Sequence, residues 1–161
     1  MSQDSTAARP WSVIERALRA SIPPGADRHT RMQAFVRAAW QPLALTGVSW
    51  LGFYERDPAD ASQLLLAARE PKPACSPIGL HGACGQCLNA ALPLVVRDVA
   101  ELGAGYITCD PRDRSEVVVP CLDAPGQAWG VLDLDSHEVG SFGPADAEAL
   151  QGLLRSAGLS A

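Results

Sequence analysis

Cys75, Cys84, Cys87 and Cys109 crowd the phrases PACSPIGLHGACGQC and YITCDPRDRSEVVVP, and thiols gathered this way can do chemistry. The N-terminus MSQDSTAARPW has no apolar run of the kind that directs export, so the expected compartment is the cytoplasm, where thiols stay reduced. Structural disulfides are therefore not expected, and two chemistries remain. In one, a thiolate attacks an oxidised electrophile, becomes a sulfenic acid and condenses with a second cysteine. In the other, Cys75, Cys84, Cys87 and Cys109 hold zinc. Spacing disfavours zinc, because one C-x-x-C is present and the other two cysteines are isolated. Nor does Cys84-Gly85-Gln86-Cys87 follow the first strand of a βαβ unit, as a thioredoxin-like motif would.

Each cysteine has its own setting. Cys109 lies in a loop with Arg112 and Arg114 close by, which would favour its thiolate. Cys75 sits in a Pro-rich loop that could carry it to another thiol. Cys84 is placed near the start of a short helix, where the helix terminus would lower its pKa. Cys121, ending an apolar strand, reads as a buried small hydrophobe.

A second group is picked out by strand alternation. Trp50 and Tyr54 share one face of a strand, with Gly52 between them leaving open space. Glu116 begins the apolar strand SEVVVP. Asp133 and Asp135 point one way while Leu132 and Leu134 point the other. A solvated sheet face would account for the two aspartates alone. Two aromatics and three carboxylates together suit a pocket for a small cation with an apolar end, such as an amino acid.

The elements that must position these groups follow from periodicity. Residues 1–10 are polar and expected to be a flexible N-terminus, with one domain over 11–161. Ser12 and Glu15 have capping-box spacing before Val13, Ala17 and Leu18, predicting a first helix that ends at Pro23-Pro24-Gly25. Asp27 caps a second, with Met32, Phe35, Val36, Ala39, Trp40 and Leu43 along one stripe. VSWLGFYE and QLLLAARE form a hairpin, and 71–82 is a loop kept out of any sheet interior by its prolines. GACGQCLNAA is a short helix, and LPLVVRDV, SEVVVPCL and AWGVLDLDS are strands. GPADAEALQGLLRSA closes the chain as a helix with Pro144 in its first turn. The order implies an α+β fold, with terminal helices gathered on one face of an antiparallel sheet. With 161 residues, 47% hydrophobic and 19% charged, the chain can bury a core. A net charge of −5 and the lack of a basic stripe argue against nucleic acid, and no apolar run is long enough to span a membrane.

In order, VSWLGFY, KPAC, GACG, ITCD, RSEVVVP and GVLDLDS resemble the free methionine-(R)-sulfoxide reductases, which are single GAF domains. The resemblance implies a GAF fold, usually a homodimer, and reduction of free methionine sulfoxide with thioredoxin as electron donor and no bound cofactor or metal. It also implies roles. Cys109 would attack the sulfoxide sulfur, Cys75 would resolve the sulfenic acid to a disulfide, and Cys84 would be an auxiliary or second resolving thiol. Trp50 and Tyr54 would hold the substrate's methyl end, Glu116, Asp133 and Asp135 its polar groups, and Ile107 would line the site. The loop before Cys109 reads LGAGY, where the family commonly has a Phe-Pro-Gly-His stretch. The competing readings are a GAF domain that senses a small ligand without turning it over and, more remotely, a zinc protein.

Overall fold

The computed structural model describes residues 8–106 and 109–161. Two helices, α1 (Trp11–Ser21) and α2 (Arg28–Ala44), precede a hairpin of β1 (Val48–Arg56) and β2 (Gln63–Glu70). The short strand β3 (Ile78–Gly79), the helix α3 (Ala83–Ala90) and the strand β4 (Leu94–Val96) follow. After a 3-10 segment, Val99–Gly105, come β5 (Ser115–Ala124), β6 (Gln127–Ser136) and α4 (Pro144–Ser156). The six strands form one antiparallel sheet in the order β3-β2-β1-β6-β5-β4.

Alternation divides the side chains between two cores. Leu51, Phe53, Val117, Val119, Leu132 and Leu134 face the terminal helices, where Ile14, Leu18, Phe35, Ala39, Leu150 and Leu154 close the larger core. Trp50, Tyr54, Val118 and Val131 face the other way and pack with Leu64, Ile78, Cys84 and Leu88. The terminal helices therefore share one face as expected, whereas α3 covers the opposite one. A slip of one residue would send leucines to the pocket and acids to the core, so this pattern specifies the register strongly.

That register builds the site. Trp50 pairs with Asp135 across β1 and β6, and Asp135 pairs with Glu116 across β6 and β5, so the three stand in one row. Gly52, Asp133 and Val118 make the next row. Directly paired residues in antiparallel strands hold their Cβ atoms about 5 Å apart.

Some local expectations change. Strand β3 lies inside the 71–82 loop but only at the sheet edge, where proline is tolerated. Helix α1 starts at Trp11 behind Pro10 without a side-chain cap, so Ser12 and Glu15 form no capping box. Its buried side chains are Ile14 and Leu18, whereas Val13 is 51% exposed. In α2, Asp27 accepts a hydrogen bond from the Thr30 amide at 2.7 Å, as its spacing predicted.

Residues 1–7 of the expected flexible N-terminus lie outside the described residues, but Arg9 is anchored. Its guanidinium pairs with Asp146 at 2.8 Å, donates to the Ser141 carbonyl and hydroxyl, each at 3.0 Å, and to Thr46 Oγ1 at 3.0 Å. Asp146 in turn accepts from the Gly143 amide at the start of α4. Removing one partner of a buried ion pair strands the other, so Arg9→Ala should cost about 3 kcal/mol of stability. Urea denaturation measures it, and a loss near zero would mean that water replaces the guanidinium.

Candidate active site

On the face away from the terminal helices, the Trp50 and Gly52 rows of the sheet make the floor of a pocket. Trp50, Tyr54, Cys84, Glu116, Asp133 and Asp135 line it together with Ala74, Ile78, Tyr106, Cys109 and Asp113. No lysine, arginine or histidine is among the described lining residues. The pocket is open at its mouth and continues along Lys72, Pro73 and Asp110 into an adjoining cavity of about 100 Å³ that shares Trp50, Ala74, Cys109, Asp113 and Asp135.

The aromatic wall is built on Gly52. A Cβ there would overlap the six-membered ring of Trp50, so the space expected to be open is filled by the indole lying across it. The two rings sit 6.2 Å apart and are tilted by 38°. Their polar ends are occupied: Trp50 Nε1 donates to the Lys72 carbonyl at 2.8 Å and the Tyr54 hydroxyl to the Cys75 carbonyl at 2.8 Å. Both bonds hold the Pro-rich loop that carries Cys75, leaving the rings' apolar surfaces as pocket wall.

Cys75 and Cys109 form a disulfide with Cα atoms 5.7 Å apart, at the exposed rim of the pocket. Two sulfurs of the four-cysteine zinc set are thereby joined. Arg112, expected to favour the Cys109 thiolate, instead holds Asp110 through its backbone amide and two guanidinium bonds. Cys84 and Cys87 stay free and buried on α3, and Cys121 is fully buried as expected. Gly85 lets α3 press against the Leu80 backbone, where a Cβ would collide.

Electrostatics overturn one expectation and refine another. The Cys84 thiol is not activated by its helix terminus. Burial pushes its pKa well up, and the charges of Asp133, Glu116 and Asp135 push it further, so it stays protonated. Cys87 rises to about 12, mainly through burial. The aspartates do not lie on a solvated face: Asp133 is 6% exposed and its Oδ1 has no hydrogen-bond partner. Burial raises the pKa of Glu116, Asp133 and Asp135, and mutual repulsion adds to the rise at both aspartates. Cys84, Glu116 and Asp133 each bring a ligand atom within 4.8 Å of the others. Such a coupled cluster shares its protons and keeps part of them near neutrality.

Of the residues singled out in the sequence, Trp50, Tyr54, Cys84, Cys109, Glu116, Asp133 and Asp135 meet in this pocket, with Cys75 bonded at its rim. Ile107 lies outside the described residues. Sequence reasoning missed Tyr106, whose hydroxyl donates to Glu116 Oε2, and Asp113, whose pKa burial and the neighbouring Asp110 raise to about 6. The departure of LGAGY from the family pattern was the one signal pointing to Tyr106.

Comparison with known proteins agrees with this architecture. The GAF domain profile matches residues 27–160. The free methionine-R-sulfoxide reductase of Saccharomyces cerevisiae is 32% identical over 118 residues, 73% of this chain and 64% of that protein. The protein of the same name from Escherichia coli is 35% identical over 112 residues, 68% of this chain and 64% of its own length. The chain thus spans just under two thirds of these relatives. A free methionine-R-sulfoxide reductase from Neisseria meningitidis, solved in complex with its substrate, superposes with a TM-score of 0.79 at 28% identity, covering 91% of this chain and 85% of that one. By its sequence match and its sheet, this chain belongs to the GAF domain family.

Proposed function

We propose that this protein reduces free methionine-(R)-sulfoxide to methionine with its own thiols and is recycled by thioredoxin. The observation that carries this reading is a disulfide at the mouth of a pocket walled by two aromatics and floored by three uncompensated acids. A sensor pocket needs no such pair of sulfurs. In the dithiol form, the Cys109 thiolate attacks the sulfoxide sulfur while a carboxyl of the acidic cluster protonates the departing oxygen. Methionine leaves and Cys109 holds the oxygen as a sulfenic acid. The Cys75 sulfur then bonds to Cys109 Sγ, the S–O bond breaks, and the hydroxide leaves as water with the Cys75 proton. Two thiols have supplied the electron pair that the sulfoxide gained. A thioredoxin dithiol returns the disulfide to two thiols by exchange.

Trp50 and Tyr54 would hold the methyl end and the acids the ammonium. A peptide-bound residue has no ammonium, and it would leave the buried carboxylates unpaired, which is a strong basis for rejection. This reading takes the Cys75–Cys109 disulfide form as the product state of the cycle. The same reading takes the protein as a cytoplasmic homodimer without bound cofactor or metal. With thioredoxin, its reductase and NADPH, the purified protein should oxidise NADPH on addition of the free R epimer, and N-acetylated sulfoxide should leave the rate at background. A folded protein that stays silent with the free R epimer, while the thioredoxin system is active, overturns the assignment.

A further inference from the structure

The two cysteine loops are joined by more than sulfur. Lys72, three residues before Cys75, places its Nζ 2.8 Å from Asp110 Oδ2, and Asp110 directly follows Cys109. The Asp110 side chain is 14% exposed and the Lys72 side chain 47%. Each partner is braced separately. The Lys72 carbonyl accepts from Trp50 Nε1, fixing that loop to the pocket wall. Asp110 is gripped by Arg112 within its own loop, and His137 Nε2 lies 3.8 Å away. Arg112 and Lys72 together hold the Asp110 carboxyl well below the usual carboxylate range, so it is charged at any working pH.

We infer that Lys72 and Asp110 form an electrostatic latch that brings the Cys75 loop onto Cys109, positioning the two sulfurs to bond. The cysteines are 34 positions apart, and closing such a loop costs chain entropy. An ion pair formed beside the sulfurs offsets part of that cost, raising the effective concentration of one thiol at the other. Arg112 pairs with the same carboxylate but bridges nothing, because it sits in the Cys109 loop itself. Lys72 is thus a positioning residue that acts on disulfide closure. The inference rests on the proposed cycle for its purpose, but its test does not.

Equilibration of the intact protein with glutathione reads the latch without any sulfoxide: the protein disulfide and two glutathione thiols exchange for the dithiol and glutathione disulfide. Lys72→Met should shift this equilibrium toward the dithiol by about threefold to fivefold, the upper range for a partly exposed ion pair. The shift should shrink at about 1 M salt, where the screening length falls to ~3 Å, comparable with the pair's own separation. Lys72→Arg should restore the wild-type value, and Arg112→Met should leave it within about twofold. A wild-type equilibrium in Lys72→Met, or an equal drop in Arg112→Met, overturns the latch. Absence of sulfoxide turnover in the wild type would sink the proposed reductase and leave these measurements intact.

Discussion

Serine at position 109 will abolish sulfoxide turnover, by at least about a thousandfold, in a protein that folds normally. Cys109 is exposed at the rim of the pocket, so the change removes one sulfur from a site with no packing role. A hydroxyl there is neither ionised at neutral pH nor able to accept the sulfoxide oxygen. Cys75→Ser should behave differently, releasing one equivalent of methionine and then stopping with a sulfenic acid at Cys109. A small dithiol, which can attack that sulfenic sulfur directly, should restore repeated turnover to Cys75→Ser but not to Cys109→Ser. Cys87→Ser should remain active, because that thiol is 1% exposed and held protonated. Rapid-quench counting of methionine distinguishes the variants. Activity in Cys109→Ser, or its loss in Cys87→Ser, would place the nucleophile elsewhere.

The parts of this site that could be read from the chain are those placed by strand periodicity. Trp50 and Tyr54, Glu116, and Asp133 with Asp135 alternate against Leu51, Val117, Leu132 and Leu134, and in a sheet whose helix-facing side is packed with apolar side chains that alternation decides which way each side chain points. The terminal helices α2 and α4 were legible for the same reason, through stripes such as Phe35–Val36–Ala39 and Leu150–Leu153–Leu154. What escaped was set by contacts distant in sequence. Strand β3 exists because Ile78 and Gly79 find Leu64 and Gln63, not because two residues carry a strand signal. Arg9 looks like tail until Asp146 and Ser141 close around it. The thiol of Cys84 was misjudged because a helix terminus worth under about 2 kcal/mol was weighed without the desolvation and three carboxylates that oppose it. Lys72 and Tyr106 sit in loops, where spacing says little about direction.

Those carboxylates should make the pocket costly to the fold, and Asp133→Asn should therefore raise stability while lowering activity. Glu116, Asp133 and Asp135 have folded pKa values above the ordinary carboxylate range near 4. Between that range and the raised values, the folded chain holds protons that the unfolded chain has released. Stability then falls as pH rises. Asp113, raised to about 6, adds to the same slope. Carboxyls held low, such as Asp110 and Asp57, are charged in both the folded and the unfolded chain above about pH 5 and do not contribute between pH 5 and 8. Asparagine at 133 keeps the shape, removes one buried charge and can donate an N–H to the Glu116 carboxylate. Its melting temperature at pH 7.5 should exceed wild type by about 2–4 °C, with the gap shrinking toward pH 5, where the wild-type cluster is more fully protonated. The kcat/KM for free methionine sulfoxide should fall by about a hundredfold, as the cluster loses a proton carrier and a partner for the ammonium. Thermal scans of both proteins from pH 5 to 8 measure the slope. A variant that melts below wild type at pH 7.5, or follows a parallel curve, would mean that Asp133 stabilises the empty pocket and that the repulsion among the three acids is relieved by some other group.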